Sequence, residues 1–239
     1  MKQVRNEQKI DQFSPLRQAV RQVRQQLEDE FEAGSTTGRN TDFAQLYFFT
    51  TLHWLEHAEN NSNSEILYLL VDEFFRYYKI YVMDIENNVR FSAKHWEYHL
   101  YCRKLSCMPY GQLFRAGALL FGIRAHIRHD LAEAIYTAIE RYHEIHGKHP
   151  DIGQFQSMIY GPGSDKVFTN ACIDYFECCH VGSNYRRLLK TLAKFSVPIW
   201  LRALQANRRA AWKEAIHSLQ SNVPINRPKV RLKLAVSHE

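Results

Sequence analysis

Apolar positions recur at three- and four-residue intervals along most of this chain, and that spacing predicts helices rather than strands. Phe13, Leu16, Val20, Val23 and Leu27 mark a first helix, opened by Ser14–Pro15 and running to about Glu32. Gly34-Ser-Thr-Thr-Gly38 then breaks the pattern. Asp42 to Glu59 predicts a second helix with Phe43, Leu46, Tyr47, Thr50, Trp54 and Leu55 on its packed side. Ser62 and Glu65 have capping-box spacing and predict a third helix from Ile66, with a broad apolar face from Leu67 to Val82. A loop at Glu86-Asn-Asn-Val89 and a shorter helix from Ala93 to Arg103 follow.

The segment from Gly111 to Gly147 dominates the pattern. It reads as one long helix, or as two that meet near His126. From Gly117 to Ile127 it is apolar on nearly every side, which predicts burial in the middle of a domain. Gly147 and Pro150 are the expected stop signals. Beyond them, Gly161-Pro-Gly-Ser-Asp165 reads as a connector over a pocket, and Val167 to Val181 as a helix. Arg186 to Phe195 reads as a basic helix. Ser196-Val-Pro198 is the expected start of a last helix, from Ile199 to about Leu219. Residues 221–239 alternate apolar and basic positions around two prolines and read as a short strand or a basic arm.

Scarce glycine and proline, 10 and 7 in 239 residues, favour an all-α domain over a turn-rich β architecture. The expected organisation is a polar N-terminal helix and linker over 1–38, a helical bundle over 39–220 around a buried central helix, and a basic tail over 221–239. The N-terminus lacks the apolar core of a signal peptide, and no run suits a membrane span. The five cysteines have no C-x-x-C spacing, so reduced thiols in the cytoplasm are the expectation. A formal charge of +6, gathered near both ends, admits a nucleic-acid or anionic-membrane partner, although solvated helix faces are the simpler account of such charge.

Chemistry concentrates at His126 and Asp130. They lie one helical turn apart, so their side chains share one space. Asp130 could fix the tautomer of His126 and raise its basicity. Both could instead ligate a divalent metal such as zinc, with Asp72 or another histidine completing the shell. Or the pair could join helices in a purely structural network with Asp72, Tyr47, Tyr78 and Arg124. Gly117 and Gly122 suggest close backbone packing or room for a ligand in the same region. His129 and Glu133 read as exposed or rim residues. His53/His57 and His95/His99 repeat the one-turn spacing, and His143, Glu144, His146 and His149 crowd a helix end; all three groups read more simply as ordinary helix residues. No G-x-S-x-G or Cys–His nucleophile motif is present.

Four pieces occur in order: Asp42-Phe-Ala-Gln-Leu-Tyr47 with Thr51; Val71-Asp72 followed by Phe74, Phe75 and Tyr78; Ala125-His126-Ile-Arg-His-Asp130-Leu131; and Arg209-Ala-Ala-Trp212. This set resembles a bacterial all-helical family known only as a domain of unknown function, over about residues 40 to 220. The resemblance implies an all-α fold and no established activity. The spacing of His126 and Asp130 is also similar to that of metal ligands in helical zinc-dependent phospholipases and nucleases, whose remaining pattern is absent.

The resulting expectation is a buried site formed by His126, Asp130 and Asp72, with Tyr47, Tyr78 and Arg124 as binding residues. It would act on a small molecule by acid/base or metal-assisted chemistry, hydrolysis being one form. The alternative is a non-catalytic interaction protein presenting the basic faces Arg186–Lys194 and Arg208–Lys213.

Overall fold

A computed structural model of the chain describes residues 25, 29, 42–60, 64–86, 96–106, 112–178, 183–221 and 225. All regular structure among them is helical: α1 (Asp42–Glu59), α2 (Ser64–Glu86), α3 (Glu97–Ser106), α4 (Gln112–Ala125), a π turn (His126–Asp130), α5 (Leu131–His146), α6 (Ile152–Tyr160), α7 (Pro162–Cys178) and α8 (Ser183–Ser221). No described helix is long and apolar enough to cross a membrane. Most of the N-terminal helix and of the tail lies outside the described residues, as do Ser62, His95, Cys107, Cys179 and His180.

The core is one cluster built from α1, α2, α4, α5, α6, α7 and α8. The middle of it is α5. Leu131, Ala132, Ala134, Ile135, Ala138 and Ile139 are all buried. Small residues at 132, 134 and 138 let neighbouring helices approach closely, and α5 packs against both α2 and α8. Helix α1 packs against α2, α4 and α7, while α3 and α4 form an antiparallel hairpin at one side. Thr50 and Thr51 are buried on α1 and return their hydroxyl protons to the Leu46 and Tyr47 carbonyls, so neither costs an unmet polar group.

Polar clasps cross the bundle where the helices touch. Arg141 of α5 donates to Asp72 at 2.7 Å and to Glu73 at 2.5 Å on α2. Burial disfavours its charge, but the hydrogen bonds to both carboxylates outweigh that and raise its pKa. His146 reaches Glu65 at 2.7 Å, a second tie between α5 and α2. His53 reaches Asp174 at 2.7 Å and ties α1 to α7. Arg128 on the π turn pairs with Glu214 of α8 at 2.7 Å.

The largest clasp is centred on Arg208, whose residue is 0 % exposed. One terminal nitrogen donates to the Ile159 carbonyl at 2.9 Å and to Ser164 Oγ. The other donates to Asp165, whose second oxygen takes Gln205. The guanidinium also lies 5.0 Å from the Phe168 ring centroid. One side chain thus joins α8 to the end of α6 and the start of α7. Burial lowers the Arg208 pKa, and Asp165 opposes that shift.

Several expectations change here. Gly161-Pro-Gly-Ser-Asp165 is not an open connector: Pro162 begins α7, where a missing N–H costs nothing, and Ser164 is buried under Arg208. The two expected C-terminal helices are one, because the helical backbone continues through Pro198. Arg208 does not belong to a basic outer face, whereas Arg209 and Lys213 are exposed. Nor is α4 buried all round, since Phe114, Leu120 and Phe121 are exposed. Its apolar character reflects one side in the core and another at the surface. At the far end, Gly147 closes α5 with φ of 65° and donates to the His143 carbonyl. That left-handed turn is why glycine stands there.

Candidate functional site

The central helix changes its winding at His126. Leu131 N–H donates to the His126 carbonyl, five residues back, so the stretch His-Ile-Arg-His-Asp is a single π turn. Such turns insert an extra residue into the α ladder and concentrate at functional sites. Here the turn carries both members of the singled-out pair. His126 Nδ1 and Asp130 Oδ2 are 2.8 Å apart, and both residues are buried.

Asp130 fixes the histidine through Nδ1. The other nitrogen, Nε2, is buried and has no hydrogen-bond partner among the described residues. Around the ring stands an aromatic box. Phe74 of α2 stacks on the imidazole with centroids 3.7 Å apart. Tyr47 and Phe43 of α1 meet it edge-on at 5.1 and 5.9 Å, and Trp96 lies at 6.3 Å. Tyr78 stacks on Tyr47 at 4.2 Å and backs the box from behind.

His99 of α3 supports the opposite side. Its Nδ1 is 2.6 Å from the Ala118 carbonyl, and its ring meets Phe43 and Trp96 edge-on. Gly122 is required by this packing. A Cβ there would lie 2.8 Å from both His99 Nδ1 and Phe43 Cδ2, whereas at Gly117 it would meet only Cys102 Sγ at 3.3 Å. Of the two motives for these glycines, ring packing is the one the contacts support at 122.

Next to the box, Tyr77 of α2 bonds Glu133 and feels Asp130 and Glu73. Burial first, then these carboxylates, push its pKa above the ordinary value. Glu133 is therefore engaged with α2, not a plain rim residue.

The structure brings His126, Asp130, Tyr47 and Tyr78 together. Asp72 is instead held by Arg141 on the α2–α5 seam, and Arg124 is exposed. The hydrogen bond between His126 and Asp130 stays within one helix, so it does not itself tie two helices together. Among the described residues no group of three or more His, Cys, Asp or Glu side chains is arranged to hold a metal ion. His53 is occupied by Glu56 and Asp174, and His143 stacks on His149 at 4.4 Å. Of the described thiols, Cys102 and Cys172 are free, and burial raises Cys172 to about 12.

The box residues Phe43, Phe74 and Trp96 were not singled out from the sequence as site residues. Phe43 and Tyr47 share a face by their four-residue spacing, which is a usable signal; nothing local marks Trp96. Arg208 also had a signal, since Leu204, Arg208, Ala211 and Ala215 form one stripe. Set against family models, curated proteins and solved structures, the chain has no match in any of the three.

Proposed function

We propose that this domain binds a small molecule at the His126–Asp130 pair and uses the imidazole as an acid/base group. The observation that carries the reading is His126 Nε2: buried, aimed by an Asp130 hydrogen bond on the other nitrogen, and without a partner among the described residues. A buried polar atom without a partner costs about 1–3 kcal/mol. A ligand that exchanges a proton or hydrogen bond with Nε2 would remove that cost. The carboxylate holds the proton on Nδ1, which leaves the Nε2 lone pair as the reacting acceptor.

The acid/base form is favoured over the metal-assisted one by the donor set. The two residues bond each other, and Asp72, one of the expected further ligands, is paired with Arg141. Zinc or another divalent ion would need donors beyond these. Membership of the helical family of unknown function stays part of the proposal and adds no activity to it. A reaction class such as hydrolysis would be assigned by the turnover assay.

A second reading is a non-catalytic interaction protein with the pair as internal packing. The aromatic coat favours it, because Phe74 stacks on the imidazole with centroids 3.7 Å apart. Exposed Arg202, Arg209 and Lys213 on α8 would then serve an anionic partner, nucleic acid or membrane, with salt-sensitive binding.

The separating experiment is nitrogen-15 NMR of the histidine rings of the full chain during a fragment screen, with ester and phosphoester chromogens as turnover probes. A fragment that shifts His126 Nε2 and is lost in a folded His126→Gln chain is the expected result. If no fragment moves Nε2, no chromogen turns over, and His126→Gln only lowers the melting temperature, the packing reading replaces this one.

A further inference from the structure

Among the described residues, the α3–α4 hairpin presents an exposed aromatic surface, different in character from the buried pair. Tyr98 is 65 % exposed and Tyr101 63 %, high values for large aromatic side chains, and Phe114, Leu120 and Phe121 are exposed beside them. At 100° per residue, Glu97, Tyr98, Tyr101 and Lys104 span roughly a third of the circumference of α3. Phe114, Leu120 and Phe121 fall on a similar arc of α4. The Tyr98 and Phe121 rings stack with centroids 5.6 Å apart, so the two arcs form one continuous patch. Tyrosine and phenylalanine are residue types enriched at the cores of protein interfaces.

The charges on this patch say what covers it. Glu97 and Lys104 are both exposed and stand two turns apart on the same face, with Tyr101 between them. That order is self-complementary under a two-fold axis. When one copy of α3 lies antiparallel on another, centred near Tyr101, each Glu97 falls opposite the other copy's Lys104, twice over. A membrane surface would leave the Glu97 carboxylate unpaired against an apolar, anionic layer, whereas a second copy supplies it with Lys104. Arg124 does not upset the pairing: the Tyr98–Phe121 contact sets the register, and Arg124 lies a turn further, past the start of α3.

We infer that α3 and α4 form the interface of a symmetric homodimer of this chain. Two-fold pairing of identical patches is the commonest way a chain assembles with itself. The dimer leaves the His126 site intact in each protomer, and the inference does not depend on the function proposed there.

Sedimentation velocity of the full chain across a concentration series tests it. The wild type is expected to dimerise in a concentration-dependent way. Tyr101→Glu, which places like charges across the axis, should make it monomeric. Glu97→Lys and Lys104→Glu should each weaken the dimer roughly tenfold, because symmetry counts each substitution twice. The double variant Glu97→Lys/Lys104→Glu should restore it. All three substituted positions are exposed, and circular dichroism verifies that the variants fold. A wild type that stays monomeric throughout, a dimer indifferent to Tyr101→Glu, or a double variant no better than the singles overturns the inference. So does a monomer that binds phosphatidylcholine/phosphatidylserine vesicles through Tyr98 and Tyr101.

Discussion

Two buried polar centres in this molecule contrast. Around Arg208, three elements meet: the guanidinium of α8 holds the last turn of α6 through Ile159 and the first turn of α7 through Ser164 and Asp165. Around His126, the principal bond stays inside one turn of one helix. The first arrangement links parts of the chain distant in sequence through one side chain. The second buries an imidazole and a carboxylate without linking α5 to another helix through their mutual bond. The π turn that carries the pair interrupts an otherwise regular helix. Arg208 also has a nitrogen without a hydrogen-bond partner among the described residues, its Nε, but its terminal nitrogens are both spent on neighbouring elements. Both centres are buried; where they differ is in what their bonds connect.

The contrast is sharpest in stability. Arg208→Ala should cost about 3–5 kcal/mol in urea unfolding, since it removes the partner of Asp165 and leaves Ser164 and the Ile159 carbonyl uncapped. Asp130→Asn should cost only about 1 kcal/mol, because an amide oxygen still accepts from Nδ1. Equal losses in the two variants would break the distinction drawn above.

An intermediate effect is expected at the glycines. Gly122→Ala pushes a methyl into Phe43 and His99 and should lose about 1–3 kcal/mol. Gly117→Ala faces only the Cys102 sulfur at 3.3 Å and should fall between slight loss and a gain of up to about 1 kcal/mol from helix propensity. If Gly122→Ala also shifts the His126 ring resonances and Gly117→Ala does not, the aromatic box is one mechanical unit.

The smallest effect concerns pH. Burial lowers the pKa of His57, which packs against Gly163 at the α1–α7 contact. The unfolded chain then takes up the proton first, so this group makes the protein less stable as pH falls through the ordinary histidine value and on through the lower folded one. His57→Gln should flatten that part of the acid slope in thermal melts from pH 7 to pH 5. An unchanged slope would assign the acid sensitivity elsewhere.

The spacing of apolar residues determined the all-α architecture, the limits of α1, the Gly147 stop and the helical face shared by His126 and Asp130. These are local properties: periodicity, a left-handed cap and a one-turn separation are written in neighbouring residues. The sequence left open whether one long helix or two meet near His126; the structure has one continuous helical run whose winding changes there through a π turn. The tertiary structure alone decided that Asp72 serves Arg141, that Arg208 is a clasp in the core, and that Phe43, Phe74 and Trp96 enclose the imidazole. Each of those facts depends on which helix packs beside which. A side chain's partner across a helix interface is set by packing between segments far apart in sequence, and one-dimensional periodicity carries no record of that choice.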